Sequence, residues 1–164
     1  SMNAPAQERM DLELDLRNAV SRGEFVLHYQ PVVDLPTGRI TEVEALVRWK
    51  HPSRGLLSPA EFVGLAEETG LIVPLGRWVL HEACRQTREW LDAGLKPGVV
   101  SVNLSARQFR AEGLVRTVAA SVELVGADVV EVIPTAVGSN DASALVAERV
   151  IREALTGVAL RRSA

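Results

Sequence analysis

The sequence predicts an α/β fold, about half of a (β/α)8-type (TIM) barrel with an N-terminal antiparallel β-hairpin. Three observations predict it. Beyond residue 57, helix-period stretches alternate with short aliphatic runs, the pattern of a parallel sheet covered by helices. Two extended stretches, 25–35 and 39–49, are separated only by Pro36-Thr37-Gly38, and strands joined by so short a turn pair antiparallel. A complete eight-stranded barrel takes roughly 200–250 residues, whereas this chain has 164.

The elements follow in order. Residues 1–7 read as a tag remnant and flexible lead, because Ser1 directly before Met2 is the layout left by a cleaved affinity tag. Residues 8–22 place Leu12, Leu16, Ala19 and Val20 on one helical face, with Gly23 as the stop. The hairpin 25–49 comes next. Ser58-Pro59-Ala60-Glu61 is a capping-box helix start, carrying Phe62, Leu65 and Ala66 inward to a stop at Gly70. A longer helix is predicted from about Pro74 to Ala93, with Leu75, Trp78, Val79, Ala83, Gln86 and Trp90 along one stripe. Residues 99–104 read as a buried strand, and Ser105 to Gln108 as a second capping box opening a helix to about Val125. A strand at 127–133, a helix at 143–155 and a strand at 157–160 complete the pattern. Residues 8–164 are read as a single partial domain.

Hydrophobic residues make up 47% and charged residues 24%, with a formal net charge of −3. That balance suits a globular core and excludes wholesale disorder. Mild acidity without a charge run speaks against a nucleic acid polymer as partner. No apolar stretch approaches the roughly 20 residues of a bilayer span, so no membrane insertion is expected. No signal-peptide layout opens the chain, and the lone cysteine, Cys84, cannot form an internal disulfide. The expected location is cytoplasmic.

Neither a phosphate-binding glycine loop nor a zinc or nucleophile-elbow motif is present. Three residues nonetheless suggest chemistry. Glu44 lies in the second strand between aliphatic neighbours, where a carboxylate must be paired, hydrogen-bonded or metal-bound. Asn103 ends a strand just before a helix start, a position where parallel-sheet folds place functional groups. Carboxylate and amide oxygens suit magnesium, manganese or calcium, but a salt-bridged Glu44 and a turn-forming Asn103 explain the same residues. Arg48 has the reach for a phosphate or for a structural ion pair. His28, His51 and His81 lack metal-site spacing, Cys84 falls mid-helix, and Trp49, Trp78 and Trp90 are spaced as core anchors.

The segments YQPVVDL (29–35), EALVRWKHP (44–52), SPAEFVGLAEETGLI (58–72) and SVNLSARQF (101–109) resemble, in order and spacing, the EAL domain family of bacterial signalling proteins. The resemblance covers about residues 12–125 and takes its name from Glu44-Ala45-Leu46. It implies a modified (β/α)8 barrel with one antiparallel strand, and hydrolysis of cyclic di-GMP to pGpG by two divalent cations, Mg2+ or Mn2+. By that resemblance Glu44 and Asn103 are metal ligands. Gln30, Leu46, Arg48 and Pro59 line the dinucleotide, with Arg48 facing a phosphate.

Residues 125–164 diverge from the family pattern. Ile133 and Ala136 stand where acidic ligands are expected, and Arg161 and Arg162 lie near the place where the resemblance expects paired aspartates. Both lysines, Lys50 and Lys96, precede Asn103, so neither matches the later active-site lysine. The expectation is a degenerate EAL-type module, non-catalytic, with weak or absent metal binding, acting by weak cyclic di-GMP or protein binding. The alternatives are a cyclic di-GMP phosphodiesterase truncated here or completed by another chain, and a fragment without ligand function. Aliphatic strands at 99–104, 127–133 and 157–160, of the kind buried on both faces, lead to the further expectation of a homodimer with two half barrels facing one another.

Overall fold

The computed structural model describes residues 4–105, 107 and 108. The predicted elements at 127–133, 143–155 and 157–160, and the substituted positions Ile133, Ala136, Arg161 and Arg162, lie outside the described residues. The chain divides into two units, Ser1–Asn103 and Leu104–Ala164.

In the first unit, α1 (Ala4–Ala19) precedes β1 (Phe25–Asp34) and β2 (Arg39–His51). A short β3 (Gly55–Leu57), α2 (Pro59–Thr69), α3 (Ile72–Asp92) and β4 (Val99–Val102) follow. β2 is the spine of the sheet. β1 pairs antiparallel along it from Phe25↔Trp49 to Asp34↔Arg39, with an irregularity between Val32 and Val33. β4 pairs parallel with its first half, Glu42↔Val99 to Ala45↔Val102, and β3 antiparallel with its last three residues. The antiparallel hairpin therefore stands as expected, as does the switch to parallel pairing through α2 and α3.

The elements differ from the sequence reading at several points, among them the end of β2, which runs to His51 rather than to residue 49. α1 begins at Ala4, inside the stretch read as a lead, and ends at Ala19, because residues 20–23 form a turn closed by Gly23 at φ 67°. β3 was not anticipated: three residues carry almost no periodicity, and only pairing with β2 makes them a strand. α3 starts at Ile72 rather than Pro74. A proline in the first turn costs nothing there, since that N–H has no helical acceptor. β4 spans four residues, Val99 is 63% exposed and Val100, Ser101 and Val102 are only half-buried, so the expectation of a strand buried on both faces fails along its length.

Alternation along the strands sorts the sheet into two faces. Phe25, Val43, Ala45 and Trp49 are buried beneath the helices. Phe62, Leu65 and Ala66 of α2, and Leu75, Val79 and Ala83 of α3, are buried as predicted, and Ile72 at the start of α3 is buried as well. Leu16 of α1 joins the same core. Phe25 is its aromatic hub, with ring centroids 5.7 Å from Trp49, 5.7 Å from Phe62 and 5.9 Å from Trp78. Trp49 also donates its indole N–H to Glu24 Oε2 at 2.9 Å, so its polar edge is satisfied in the core. His51 is buried too. Its Nδ1 accepts the Ser53 N–H at 3.2 Å, which leaves Nε2–H to face Asp15 Oδ2 at 3.2 Å and fasten α1 to the end of β2.

The capping box predicted at Ser58 forms. The Glu61 carboxylate accepts the Ser58 N–H at 2.6 Å and is held below its ordinary pKa by that bond, and Gly70 closes α2 in the left-handed region at φ 80°. In the second unit, Gln108 Oε1 accepts the Ser105 N–H at 2.8 Å and Ser105 Oγ accepts the Arg107 N–H at 3.2 Å; the rest of the helix predicted to about Val125 lies outside the described residues.

Candidate functional site: the carboxylate–amide face of the sheet

The face of the sheet opposite the core carries the polar residues singled out by the sequence. Glu42, Glu44, Leu46 and Arg48 alternate along β2 on this face, and the hairpin register sets Gln30 opposite Glu44, His28 opposite Leu46 and Val26 opposite Arg48. From β4 the same face receives Ser101, whose register partner is Glu44.

Two hydrogen bonds join the parallel strands here. Asn103 Nδ2 donates to Glu44 Oε1 at 2.7 Å, and Ser101 Oγ donates to Glu42 Oε1 at 2.6 Å. Each links residues two positions out of direct register, the next neighbour on the same face. The two predicted metal ligands, 59 residues apart in sequence, therefore meet. Glu44 is only half-buried, so it does not carry the desolvation cost expected for a fully enclosed carboxylate.

Gly98 sets the docking of β4. It sits at φ 75°, and a Cβ on it would lie 2.2 Å from the Thr41 carbonyl oxygen. Only glycine permits this approach between the start of β4 and β2.

The remaining candidates are distributed less tightly. Gln30 is exposed beside Glu44. Leu46 and Arg48 are half-buried, and Arg48 Nη1 donates to the Val47 carbonyl at 2.8 Å. Pro59 opens α2 and is not on the sheet face. Cys84 is half-buried on α3, where burial pushes its thiol pKa up. Trp90 is half-buried and meets Tyr29 edge-on at 4.7 Å. Sequence reasoning missed Glu42, Ser101, His28 and Gly98. The first three were available from strand alternation, and Gly98 from the Pro97-Gly98 pair ahead of a strand.

In this geometry Asn103 turns its amide nitrogen, not its oxygen, toward the carboxylate, and the pair satisfies itself. A divalent cation needs six or more oxygen ligands. Glu44 and the reoriented Asn103 amide supply two, and no group of three or more His, Cys, Asp or Glu residues comes together among the described residues. The described residues fit only part of a cation's coordination shell. No described helix is long and apolar enough to cross a membrane.

The family model of the EAL domain matches residues 13–160. The bifunctional diguanylate cyclase/cyclic di-GMP phosphodiesterase MucR of Pseudomonas aeruginosa is 57% identical over 118 residues, 72% of this chain and 17% of that protein. The solved PaMucR phosphodiesterase in complex with cyclic di-GMP superposes with a TM-score of 0.65 at 54% identity, covering 68% of this chain and 45% of that one. The Xanthomonas citri FimX EAL domain, at 24% identity, shares the fold over 96% of this chain and 60% of its own, with a TM-score of 0.67. The chain thus spans about a sixth of the MucR protein and less than half of its solved phosphodiesterase domain. The matched residues, the hairpin-led barrel strands and the joined Glu44 and Asn103 make this chain a member of the EAL domain family.

Proposed function

We propose that this chain is a cyclic di-GMP signalling module that binds the dinucleotide weakly and does not hydrolyse it. The observation that carries the reading is the convergence of Glu44 and Asn103, 2.7 Å apart, on the face that also bears Gln30, Leu46 and Arg48. Arg48 supplies a cation for one phosphate, Gln30 an amide, and Leu46 an apolar contact. Among the relatives, MucR is a bifunctional diguanylate cyclase/cyclic di-GMP phosphodiesterase, and its phosphodiesterase is solved in complex with cyclic di-GMP.

Two features support binding without turnover. The Glu44–Asn103 pair offers too few oxygen donors to hold a cation tightly, and the chain has Ile133 and Ala136 where the family pattern has acidic ligands. Magnesium or manganese would supply an activated water and neutralise phosphate charge in an intact site. In this chain Glu44 and Asn103 would be its partial anchors. Apolar residues exposed at the hairpin end of the sheet support a homodimer as the working form.

A titration with cyclic di-GMP in Mg2+ or Mn2+, with product analysis, tests the reading. The expected result is binding weaker than micromolar, as suits few anchoring groups, further weakened by Arg48→Ala, with no pGpG formed. A second reading, catalysis, is favoured by the 57% identity to MucR. Metal-dependent pGpG formation lost on Glu44→Ala would establish it and overturn the first.

A further inference from the structure

His28 stands in the middle of the candidate site without having been assigned to it. It lies directly opposite Leu46, with Gln30 and Glu44 forming the next step on one side and Val26 and Arg48 on the other. Directly opposed side chains on an antiparallel pair have Cβ atoms roughly 4.5–5.5 Å apart. Successive residues on one face of a strand are roughly 6.6 Å apart. His28 is therefore a near neighbour of Gln30, Leu46, Glu44 and Arg48 at once. The side chain is exposed, and no hydrogen bond holds it to another described residue.

The chemistry of this face gives His28 a distinct part. The polar step holds the carboxylate and two amides, from Glu44, Asn103 and Gln30, and the cationic step holds Arg48. Between them, Leu46 and His28 make the one flat, partly apolar floor, and the imidazole is the only ring on this face of the described sheet. A ligand with one phosphate at Arg48 that also reaches the Gln30 amide lays the part between them across that floor. We infer that His28 is a further ligand contact and packs its imidazole against a purine ring of the dinucleotide. The inference rests on the cyclic di-GMP reading of the site and deepens it by naming a base contact. A stacking role asks for a flat ring, not for a proton, so phenylalanine satisfies it and alanine does not.

The test is an NMR titration of the whole 164-residue protein with cyclic di-GMP, a method suited to weak binding, on wild type, His28→Ala and His28→Phe. Thermal melts of all three proteins accompany it. Because His28 is exposed, the three melts are expected to coincide. Binding should weaken about tenfold in His28→Ala, the lower range for loss of an aromatic–base stack, and His28→Phe should stay close to wild type. Unchanged affinity in His28→Ala overturns the inference and leaves the reading of the site intact. Equal losses in the two variants overturn the stacking role. Absence of binding by the wild-type protein overturns the reading of the site and this inference together.

Discussion

At the residue scale, Tyr29 and Glu44 show how differently one hairpin treats polar atoms on its two faces. Glu44 keeps partial solvent contact and an amide partner. The Tyr29 hydroxyl points the other way, is buried, and has no hydrogen-bond partner among the described residues. Burial, reinforced by the nearby Glu82 carboxylate, pushes its pKa up to about 12. Leaving such a group unpaired costs about 1–3 kcal/mol. Tyr29→Phe is therefore expected to raise stability by about 1 kcal/mol at neutral pH, read from denaturant midpoints. The pH dependence has a definite sign. Unfolded, the phenol ionises near pH 10, while folded it keeps its proton up to about pH 12. The unfolded chain binds fewer protons in that window, so wild-type stability falls as pH rises through it, and this part of the fall disappears in Tyr29→Phe. Tyr29 is the only tyrosine, so the phenolate absorbance reports it directly. A less stable Tyr29→Phe protein would show that the hydroxyl has a stabilising partner.

At the scale of elements, the carboxylate–amide pairs depend on where β4 docks, and that depends on Gly98. Gly94 is a natural control. Its φ of 77° nearly matches the 75° of Gly98, yet nothing lies within 4 Å of a Cβ placed there, whereas one on Gly98 would meet Thr41 at 2.2 Å. Gly94→Ala is expected to cost about 1 kcal/mol, the left-handed backbone penalty alone. Gly98→Ala should cost about 3 kcal/mol or more, since β4 must also move off β2. Denaturant unfolding of both variants separates the two effects. Equal losses would show that the contact with Thr41 relaxes freely. The displaced strand should also part Asn103 from Glu44, which predicts weaker cyclic di-GMP binding in Gly98→Ala alone.

At the scale of the whole molecule, the hairpin end of the sheet is conspicuously apolar. Leu35 is 92% exposed, and Val32, Ile40 and Val99 are exposed as well. Register places Val32 and Val99 on either side of Glu42, so these residues are neighbours across three strands. The outer edge of β1 is also unpaired among the described strands. Apolar surface next to a free strand edge favours association, and two-fold pairing is its commonest form. Sedimentation at low micromolar concentration is expected to show a dimer, and Leu35→Glu combined with Val99→Glu should shift it toward monomer. A wild-type monomer whose unfolding does not depend on concentration would refute this.

Much of this was legible in the linear sequence because it depends on local chemistry. The Pro36-Thr37-Gly38 turn forces the hairpin, the Ser58 and Ser105 starts carry their own capping partners, and the stripe through Leu75, Val79 and Ala83 has to find a core. The motif words around Glu44 and Asn103 likewise marked both residues before any fold was known. Other features exist only through contact between distant residues. β3 is a strand because β2 lies beside it, His51 has a role because Asp15 on another element faces it, and Val99 is exposed despite its aliphatic run. That Asn103 meets Glu44, and that His28 falls among the candidate ligands, follows from strand register. Periodicity assigns a residue to a face, but only the pairing of one strand with another decides its neighbours on that face.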